Sequence, residues 1–478
     1  MKGNDFMNEQ ACTTILVGKK ATIDGSTMIA RNDDTFLPLT PQRFVMQQAY
    51  HDQEKSWAST QNGFKAPLPR NGYRTTMTPN VDVKNLGYFG ESSINEKNVA
   101  MSATESVYGN PLALAHDPWV KDGLAEDSLQ SLVAPYIDSA REGVLYLGEL
   151  IKKYGSPEGN GVLFADKDDV WYMEIVTGHH WAATRIPDDA YAIAANQVAQ
   201  DYIDFNDPDN YMWSDGLQEF VEKYHLNPDP KTFNFRRIFG TDNEKDRHYN
   251  TPRVWYGQHI FNPEIKQEPW SSDLPFICRS KRLLKVEDLT YVLSSHYNET
   301  KYDPLGHGSE EDKLRFRPIS LNRTQNSHVL QLRNDVPEKL SALMWICLGV
   351  PTFTPYIPFY TNATDTDNSF SQTPLKYDIT SAYWMYRTLS MLVESHYSHF
   401  VQNNRDYLIK TREMTQRALE ESDNGAKELD DEQTTAYLTA QNKKLVQKLK
   451  ELTMQEIANC VTGGLELSKL TFDMDKNL

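Results

Sequence analysis

The chain has 478 residues, of which 39% are hydrophobic, and its formal net charge is −17 at pH 7. Because no run of about eighteen residues is both apolar and uncharged, we expect no membrane-spanning helix. The acidic balance disfavours nucleic acids and anionic membranes as partners, since phosphate binding needs clustered lysine and arginine. The first ten residues lack the apolar core of a signal peptide, so we expect a cytoplasmic protein.

The start of the chain carries a cysteine in a predicted β-hairpin. The residue pattern predicts a strand over residues 12–17, a turn over 18–25 and a second strand over 26–32, which would bring Arg31 and Asp34 back beside Cys12. Cleavage just before a cysteine frees an α-amine with a pKa of about 7.7 to 8.0. Such an amine can deprotonate the thiol of its own residue, and an arginine can hold the thiolate. The alternative is a buried cysteine that fills apolar space.

The middle of the chain predicts a helix followed by strands. Apolar spacing predicts a helix over residues 142–154. Short β-rich runs separated by turn residues then predict a four-stranded meander, which places Asn196 at a strand end where its amide could reach a cleft. The predicted strands are residues 161–166, 170–177, 181–186 and 191–196.

The sequence gives little evidence for a metal site. The four cysteines are far apart and form no C-x-x-C pair, which argues against zinc and against a disulfide framework. His179 and His180 are adjacent in a strand-like run, so their side chains point to opposite faces. The acidic stretches 204–210 and 365–368 lack the glutamate that ends a calcium loop. We therefore expect neither a metal nor an organic cofactor.

The last hundred residues predict long helices. Residues 379–400 carry an aromatic stripe that favours core packing, and leucines at positions 438, 445, 449 and 452 follow helical spacing. The acidic stretch 420–433 predicts an exposed connection between these helices. The helical region could pack on the rest of the chain or on another subunit, so a homo-oligomer is possible.

Four stretches match one known family in order along the chain. From them the chain resembles the PepD-type dipeptidases, a secernin-related branch of the cysteine N-terminal nucleophile hydrolases that is more distantly related to choloylglycine hydrolases and penicillin V acylases. The stretches are ACTTILVGKKATIDGSTMIARNDD at 11–34, YAIAANQ at 191–197, YNTPRVWYGQ at 249–258 and RPISLNRTQNSHVLQLR at 317–333.

The resemblance implies an α+β fold, a four-layer αββα sandwich with a helical C-terminal extension. It implies a propeptide over residues 1–11, a hydrolase core over 12–375 and a helical region over 376–478 that packs on the core. Whether cleavage before Cys12 is autocatalytic stays open.

The resemblance also implies catalytic roles. Cys12 corresponds to the nucleophile, Arg31 to the arginine beside the thiol, and Asp34 to the aspartate that hydrogen-bonds the new α-amine. Asn196 corresponds to the oxyanion donor and Arg253 to a second arginine near the sulfur. Taken singly, Arg31 with Asp34 could be a surface ion pair, Asn196 a strand-end cap and Arg253 a solvated side chain.

One position departs from the acylase pattern. Glu105 falls where the choloylglycine hydrolases carry an asparagine, and an ionised carboxylate cannot donate to an oxyanion. Thr104 or a backbone N–H could donate instead. Glu105 is then a candidate to bind the substrate's α-ammonium group, unless it caps a turn and faces solvent.

The predicted activity is a cysteine-type dipeptidase that accepts dipeptides of broad side-chain specificity. An amidase of non-peptide acyl amides, of the bile-salt or penicillin V type, is the alternative among enzymes. A non-catalytic, secernin-like protein that acts through protein partners is the alternative outside enzymes.

Overall fold

A computed structural model describes residues 12–105, 107–229 and 231–468, except for the side chains of Thr104 and Glu105. The strands are β1 (Thr13–Val17), β2 (Thr27–Asp34), β3 (Val45–Gln47), β4 (Lys55–Ala58), β5 (Lys65–Leu68), β6 (Thr75–Met77), β7 (Ser92–Ile94), β8 (Ala100–Glu105), β9 (Asn160–Ala165), β10 (Val170–Ile175), β11 (Trp181–Arg185), β12 (Tyr191–Ala194), β13 (Tyr211–Trp213), β14 (Ile277–Cys278), β15 (Thr324–Leu332), β16 (Ala342–Leu348) and β17 (Ile357–Tyr360).

The α-helices are α1 (Val83–Leu86), α2 (Pro111–Leu114), α3 (Glu126–Val133), α4 (Ala140–Tyr154), α5 (Leu217–Lys223), α6 (Phe235–Phe239), α7 (Thr251–Phe261), α8 (Val286–Leu293), α9 (Glu310–Lys313), α10 (Glu338–Ser341), α11 (Asn368–Ser371), α12 (Ala382–Ser395), α13 (Tyr397–Ala426) and α14 (Asp431–Leu467). Short 3-10 turns cover Lys19–Ala21 and Ala134–Tyr136, and a π-helical turn covers Asp246–Asn250.

Two antiparallel sheets form the centre of the fold. The first has seven strands in the order β14-β12-β1-β2-β15-β16-β17, and the second has six in the order β13-β11-β10-β9-β8-β7. Two further pairs, β3-β6 and β4-β5, form separate two-stranded sheets, and Thr75 of β6 makes an isolated bridge to Asn95 next to β7. The predicted hairpin is confirmed, because β1 pairs with β2 from Thr13↔Asn32 to Val17↔Met28.

Strand β1 is buried on both faces, which explains its apolar run. Leu16 lies in the core between the two sheets, while Ile15 and Val17 pack towards α7 and α8. A strand covered on both sides reads as continuously apolar rather than alternating.

The second sheet is covered in the same way. Val162 of β9 and Met173 of β10 pack against α3 and α4, whereas Leu163 and Tyr172 face the first sheet. The layers are therefore helix, sheet, sheet and helix, and the predicted four-layer sandwich is confirmed. The predicted helix over 142–154 is also confirmed, as α4, whose N-cap Ser139 accepts from the Glu142 N–H.

The predicted four-stranded meander is wrong at its last strand. Strands β9, β10 and β11 pair in order in the second sheet, but β12 crosses to the first sheet and pairs with β1 and β14. The turn at Pro187 to Ala190 makes this crossing possible, because the Gly18 N–H and Lys20 N–H donate to Ala190 and Asp188 carbonyls there. The crossing carries the chain after β12 to the end of β1 at which Cys12 lies.

The helical C-terminal region is present, and its helices α12 and α14 pack on the β16–β17 edge of the first sheet. The predicted exposed connection over 420–433 is present but shorter than predicted, because α13 continues to Ala426 and α14 begins at Asp431, which leaves residues 427–430 between them. Ser422 and Ala426 are buried, and Asp423 pairs with Arg333, so this acidic stretch has a packed face. Over the described ranges, no helix has both the length and the apolarity to cross a membrane.

Candidate active site

Cys12 precedes β1 and lies between the strands that flank β1. When the registers of β1 with β2 and with β12 are continued by one or two residues, Asp33 of β2 lies on one side of Cys12 and Asn196, beyond β12, on the other. The side chain is 1% exposed. Nη1 of Arg31 lies 3.1 Å from Cys12 Sγ, so the structure brings these two predicted residues together.

Arg31 is held by contacts that aim one nitrogen at the sulfur. Its Nε donates to Ser102 Oγ at 3.0 Å, and its Nη2 donates to the Glu91 carbonyl at 3.0 Å and to the Glu91 carboxylate. Both Arg31 and Glu91 are buried. A fully paired guanidinium keeps its orientation, so Nη1 remains directed at Cys12.

Glu91 adopts a left-handed backbone conformation with φ 53°, which is unusual for a residue with a side chain. Its carbonyl oxygen accepts from Arg31, from Ser102 Oγ at 3.2 Å and from Gln130 Nε2 at 3.2 Å. These bonds offset the cost of the conformation.

Asn196 and Arg253 contact the backbone of Cys12. The Cys12 N–H donates to Asn196 Oδ1 at 3.1 Å, and Arg253 Nη2 donates to the same oxygen at 2.9 Å. Two donors fix Oδ1 on this side and the amide nitrogen on the other. Arg253 Nη1 donates to the Cys12 carbonyl and to Thr13 Oγ1, so the bonds described for Arg253 reach the backbone of Cys12 rather than its sulfur.

Glu174 of β10 positions the loop that carries Asn196. Its carboxylate accepts from the Ala199 N–H at 2.6 Å and from the Gln200 N–H and side chain at 3.3 and 3.0 Å. Burial raises the pKa of Glu174 to about 7, against the lowering effect of these hydrogen bonds. The sequence analysis gave no indication of this residue.

Asp34, the last residue of β2, is fully buried and accepts from Arg317 Nη2 and Thr324 Oγ1. The described bonds of its carboxylate are therefore to β15 and to the segment before it, while the Cys12 nitrogen donates to Asn196. Its neighbour Asp33 accepts from Gln42 Nε2 at 2.5 Å. Asp33 is the carboxylate that the register places opposite Cys12.

The electrostatic balance at the thiol is dominated by burial, which raises the pKa of Cys12. The Arg31 guanidinium acts in the opposite direction, and Asp33, Glu126 and Asp34 add to the rise. With its backbone nitrogen in a peptide bond, Cys12 is therefore a neutral thiol.

A buried histidine, His328, contacts the side chain of Ser102. His328 Nε2 lies 2.9 Å from Ser102 Oγ, and its Nδ1 lies 3.1 Å from Asn326 Oδ1. Burial and the nearby Arg31 lower the pKa of His328 well below its ordinary value, so this ring is neutral. The sequence could have indicated His328, because this residue lies in the stretch 317–333 that matches the family. Glu91 and Ser102 lie in none of the four matching stretches, so the resemblance did not indicate them.

Two parts of the sequence prediction concern residues that the structure does not describe. They are the propeptide, residues 1–11, and the side chains of Thr104 and Glu105. The backbone of these two residues ends β8 and pairs with Gly161 and Asn160 of β9.

His179 and His180 have separate partners, Asp117 at 2.9 Å and Ser214 at 2.9 Å. Within the described ranges, no three His, Cys, Asp or Glu side chains are grouped so that they could hold a metal ion.

Comparison with known proteins places the chain in a family. The profile of peptidase family C69 matches residues 11–410. The chain is 56% identical to a "Probable dipeptidase" of Latilactobacillus sakei over 99% of this chain and 100% of the relative. It is 39% identical to "Dipeptidase A" of Lactobacillus helveticus over 98% of this chain and 100% of the relative.

Among solved structures, a mutant of the conjugated bile acid hydrolase from Clostridium perfringens matches with a TM-score of 0.34 and 12% identity, over 70% of this chain and 89% of that one. The family profile and the full-length relatives carry the assignment: the chain belongs to peptidase family C69 and is a cysteine-type peptidase.

Proposed function

We propose that this peptidase hydrolyses dipeptides and that Cys12 is its nucleophile after residues 1–11 are removed. The observation that carries the proposal is the 3.1 Å contact between Arg31 Nη1 and Cys12 Sγ, on a residue whose backbone nitrogen is held by Asn196. The names of the relatives support dipeptides as the substrate class.

The proposed reaction begins with a proton transfer. Once freed by cleavage, the α-amine of Cys12 takes the thiol proton, and the Arg31 cation stabilises the thiolate. The thiolate attacks the scissile carbonyl carbon, and the Asn196 amide N–H donates to the oxygen that becomes negative. The α-ammonium group then protonates the leaving amine as the C–N bond breaks. Water attacks the thioester and releases the first amino acid, and the thiol is regenerated.

Arg253 and Asp34 have positioning roles in this proposal. Arg253 holds the Cys12 carbonyl and Thr13 Oγ1, so it fixes the backbone of the nucleophile. Asp34, bound to Arg317 and Thr324, adds negative charge near the new ammonium group. Oxyanion donation by Thr104 and substrate binding by Glu105 stay predictions.

The proposal also includes the broader predictions. In it, residues 12–375 are the hydrolase core and residues 376–478 are the helical region that packs on the core; of these, 469–478 lie outside the described residues. We further propose a cytoplasmic location, broad side-chain specificity and a possible homo-oligomer, with neither nucleic acid nor membrane as a partner.

The test is a hydrolysis panel on the purified full-length protein. We expect Ala-Ala, Leu-Gly and similar dipeptides to be cleaved, and penicillin V and glycocholate to be left intact. Cys12→Ala should abolish cleavage, while Cys278→Ala, at a half-buried cysteine outside the site, should retain it. Hydrolysis of the acyl amides in preference to dipeptides would favour an amidase, and dipeptidase activity that survives Cys12→Ala would refute the mechanism.

A further inference from the structure

Glu126 is a buried carboxylate for which the described residues supply no hydrogen-bond donor. It begins α3, its side chain is 3% exposed, and within the described part of the chain neither Oε1 nor Oε2 has a hydrogen-bond partner. An ionised carboxylate is strongly destabilised in this state, so such a group either keeps a proton or binds a cation.

The position of Glu126 on α3 directs it towards the catalytic residues. Gln130, one helical turn later on the same face, donates to the carbonyls of Glu91 and Met101. Glu91 in turn pairs with Arg31, which contacts Cys12. The Glu126 carboxylate is near enough that its charge contributes to raising the pKa of the Cys12 thiol.

The charges around Arg31 do not balance. One guanidinium faces the carboxylates of Asp33, Glu91 and Glu126, and all four side chains are buried. Asp33 accepts from Gln42 through Oδ2 alone, and Glu91 pairs with Arg31, so over the described ranges Glu126 is the carboxylate of the three that has a donor at neither oxygen. An added cation would balance this group of side chains.

A second carboxylate, that of Glu158, contacts the backbone of Glu126. The Glu126 N–H donates to Glu158 Oε1 at 2.9 Å, and the charge of Glu158 adds to the rise in the pKa of Glu126, which burial causes in the first place. Asn160, two residues beyond Glu158, is fully buried, and among the described residues its side-chain Oδ1 and Nδ2 have no partner. The carboxylate oxygens of Glu126 and Glu158 are acceptors, which suit a ligand that carries several N–H donors.

We propose that Glu126 binds the α-ammonium group of the substrate's N-terminal residue and thereby selects free dipeptides over N-acylated ones. The inference rests on the proposed dipeptidase function. In a dipeptide, the ammonium nitrogen is separated from the scissile carbonyl carbon by a single carbon, so a carboxylate close to the thiol is where that nitrogen would be bound. N-acylation removes the charge and leaves Glu126 without its partner.

The experiment compares Ala-Ala with N-acetyl-Ala-Ala as substrates of the wild type, Glu126→Gln and the control Glu149→Gln. Glu149 is exposed on α4, so the control makes the same chemical change away from the site. For Glu126→Gln we expect kcat/KM on Ala-Ala to fall about 10- to 100-fold, the range for a hydrogen bond to a charged group. The fall should lie mainly in KM, and the acetylated peptide should be unaffected.

Several outcomes would overturn the inference. The first is a folded Glu126→Gln variant whose preference for Ala-Ala over N-acetyl-Ala-Ala is unchanged. The second is an equal fall in kcat/KM on both substrates, which would mean that Glu126 acts on the enzyme's own groups. Reduced discrimination in Glu105→Gln with an intact preference in Glu126→Gln would assign the role to Glu105.

Further arms keep the inference testable if a variant misfolds or the protein lacks the proposed activity. Glu126→Asp keeps the charge but shortens the side chain, which moves the carboxylate away from the ammonium group. It should therefore raise KM for Ala-Ala and leave N-acetyl-Ala-Ala unchanged; an unchanged KM for Ala-Ala would count against the inference. Calorimetric binding of alanine and N-acetylalanine requires no hydrolysis. If no dipeptide is cleaved, the proposed function fails, whereas selective alanine binding that is lost in Glu126→Gln would still support the ammonium site; equal binding by wild type and variant would overturn it.

Discussion

Nη2 of Arg253 donates a 2.9 Å hydrogen bond to Oδ1 of Asn196, on the same oxygen that accepts from the Cys12 N–H. Arg253 reaches this oxygen from α7, whereas Asn196 follows β12. The contact therefore joins two elements around the start of β1. It also determines the orientation of the Asn196 amide, whose nitrogen is the group that could donate to an oxyanion.

Removing this amide should slow the chemical step. For Asn196→Ala we expect kcat to fall by about 10² to 10³ with little change in KM, because a donor to the transition state is lost. Asn196→Asp keeps the oxygen that Arg253 binds but removes the N–H donors, so its kcat should fall similarly. Steady-state kinetics and circular dichroism would check both variants. An unchanged kcat in folded Asn196→Asp would exclude the amide as the donor.

The N-terminus of the active protein should be Cys12. A peptide bond at the Cys12 nitrogen leaves the thiol without its proposed base, and burial raises the thiol pKa in that state. Intact mass and N-terminal sequencing of active protein should show residues 1–11 removed. Full activity in a chain that still carries Met1 or Met7 would contradict the prediction.

Alkylation should inactivate the mature enzyme through one cysteine. Burial raises the pKa of Cys278 and Cys460 to about 11 and that of Cys347 to about 12, so these thiols are poorly reactive near pH 7. We expect iodoacetamide to modify Cys12 first, in step with loss of activity, as peptide mass spectrometry would show. EDTA should have no effect; loss of activity that zinc restores would indicate a metallopeptidase.

Glu91→Gln should destabilise the protein and reduce activity. The variant removes the anionic partner of a buried arginine, a change that typically costs about 3 to 5 kcal/mol when a charge is left unpaired. The Glu91 carbonyl still accepts from Arg31, so we expect the lower part of that range. Thermal unfolding would measure it, with Glu149→Gln as the control. A Tm equal to that of the wild type would show that the carboxylate pairing is dispensable.

Glu174 should make stability depend on pH. Its pKa is raised from 4.5 to about 7 in the folded protein, so the folded state binds the proton more tightly than the unfolded state. The stability gained in this way is complete below pH 4.5 and is lost as pH rises through 7, by on the order of 3 kcal/mol. Glu174→Gln has no carboxyl group to titrate at this position, so it does not lose this stability as pH rises. Its Tm relative to the wild type should therefore rise between pH 5 and pH 8; a constant difference would refute the assignment.

The sequence alone determined the elements that depend on neighbouring residues. The β1–β2 hairpin follows from two apolar runs around a turn, in which Gly25 adopts φ 74°. Helix α4 follows from its apolar spacing and the Ser139 cap. The matching stretches also indicated Cys12, Arg31, Asn196 and Arg253, residues that the structure brings together, and the αββα layers.

Only the tertiary structure decided which distant groups share the site. Glu91, Glu126 and Glu174 come from separate elements, and no local pattern marks a carboxylate whose environment is created by packing of remote strands and helices. The same holds for Asp34, whose partner Arg317 lies far along the chain. The crossing of β12 into the first sheet is likewise a matter of strand pairing between distant segments. Local propensity determines that a strand forms, but the partners of buried charges are determined by long-range packing, since each must be satisfied where the whole fold places it.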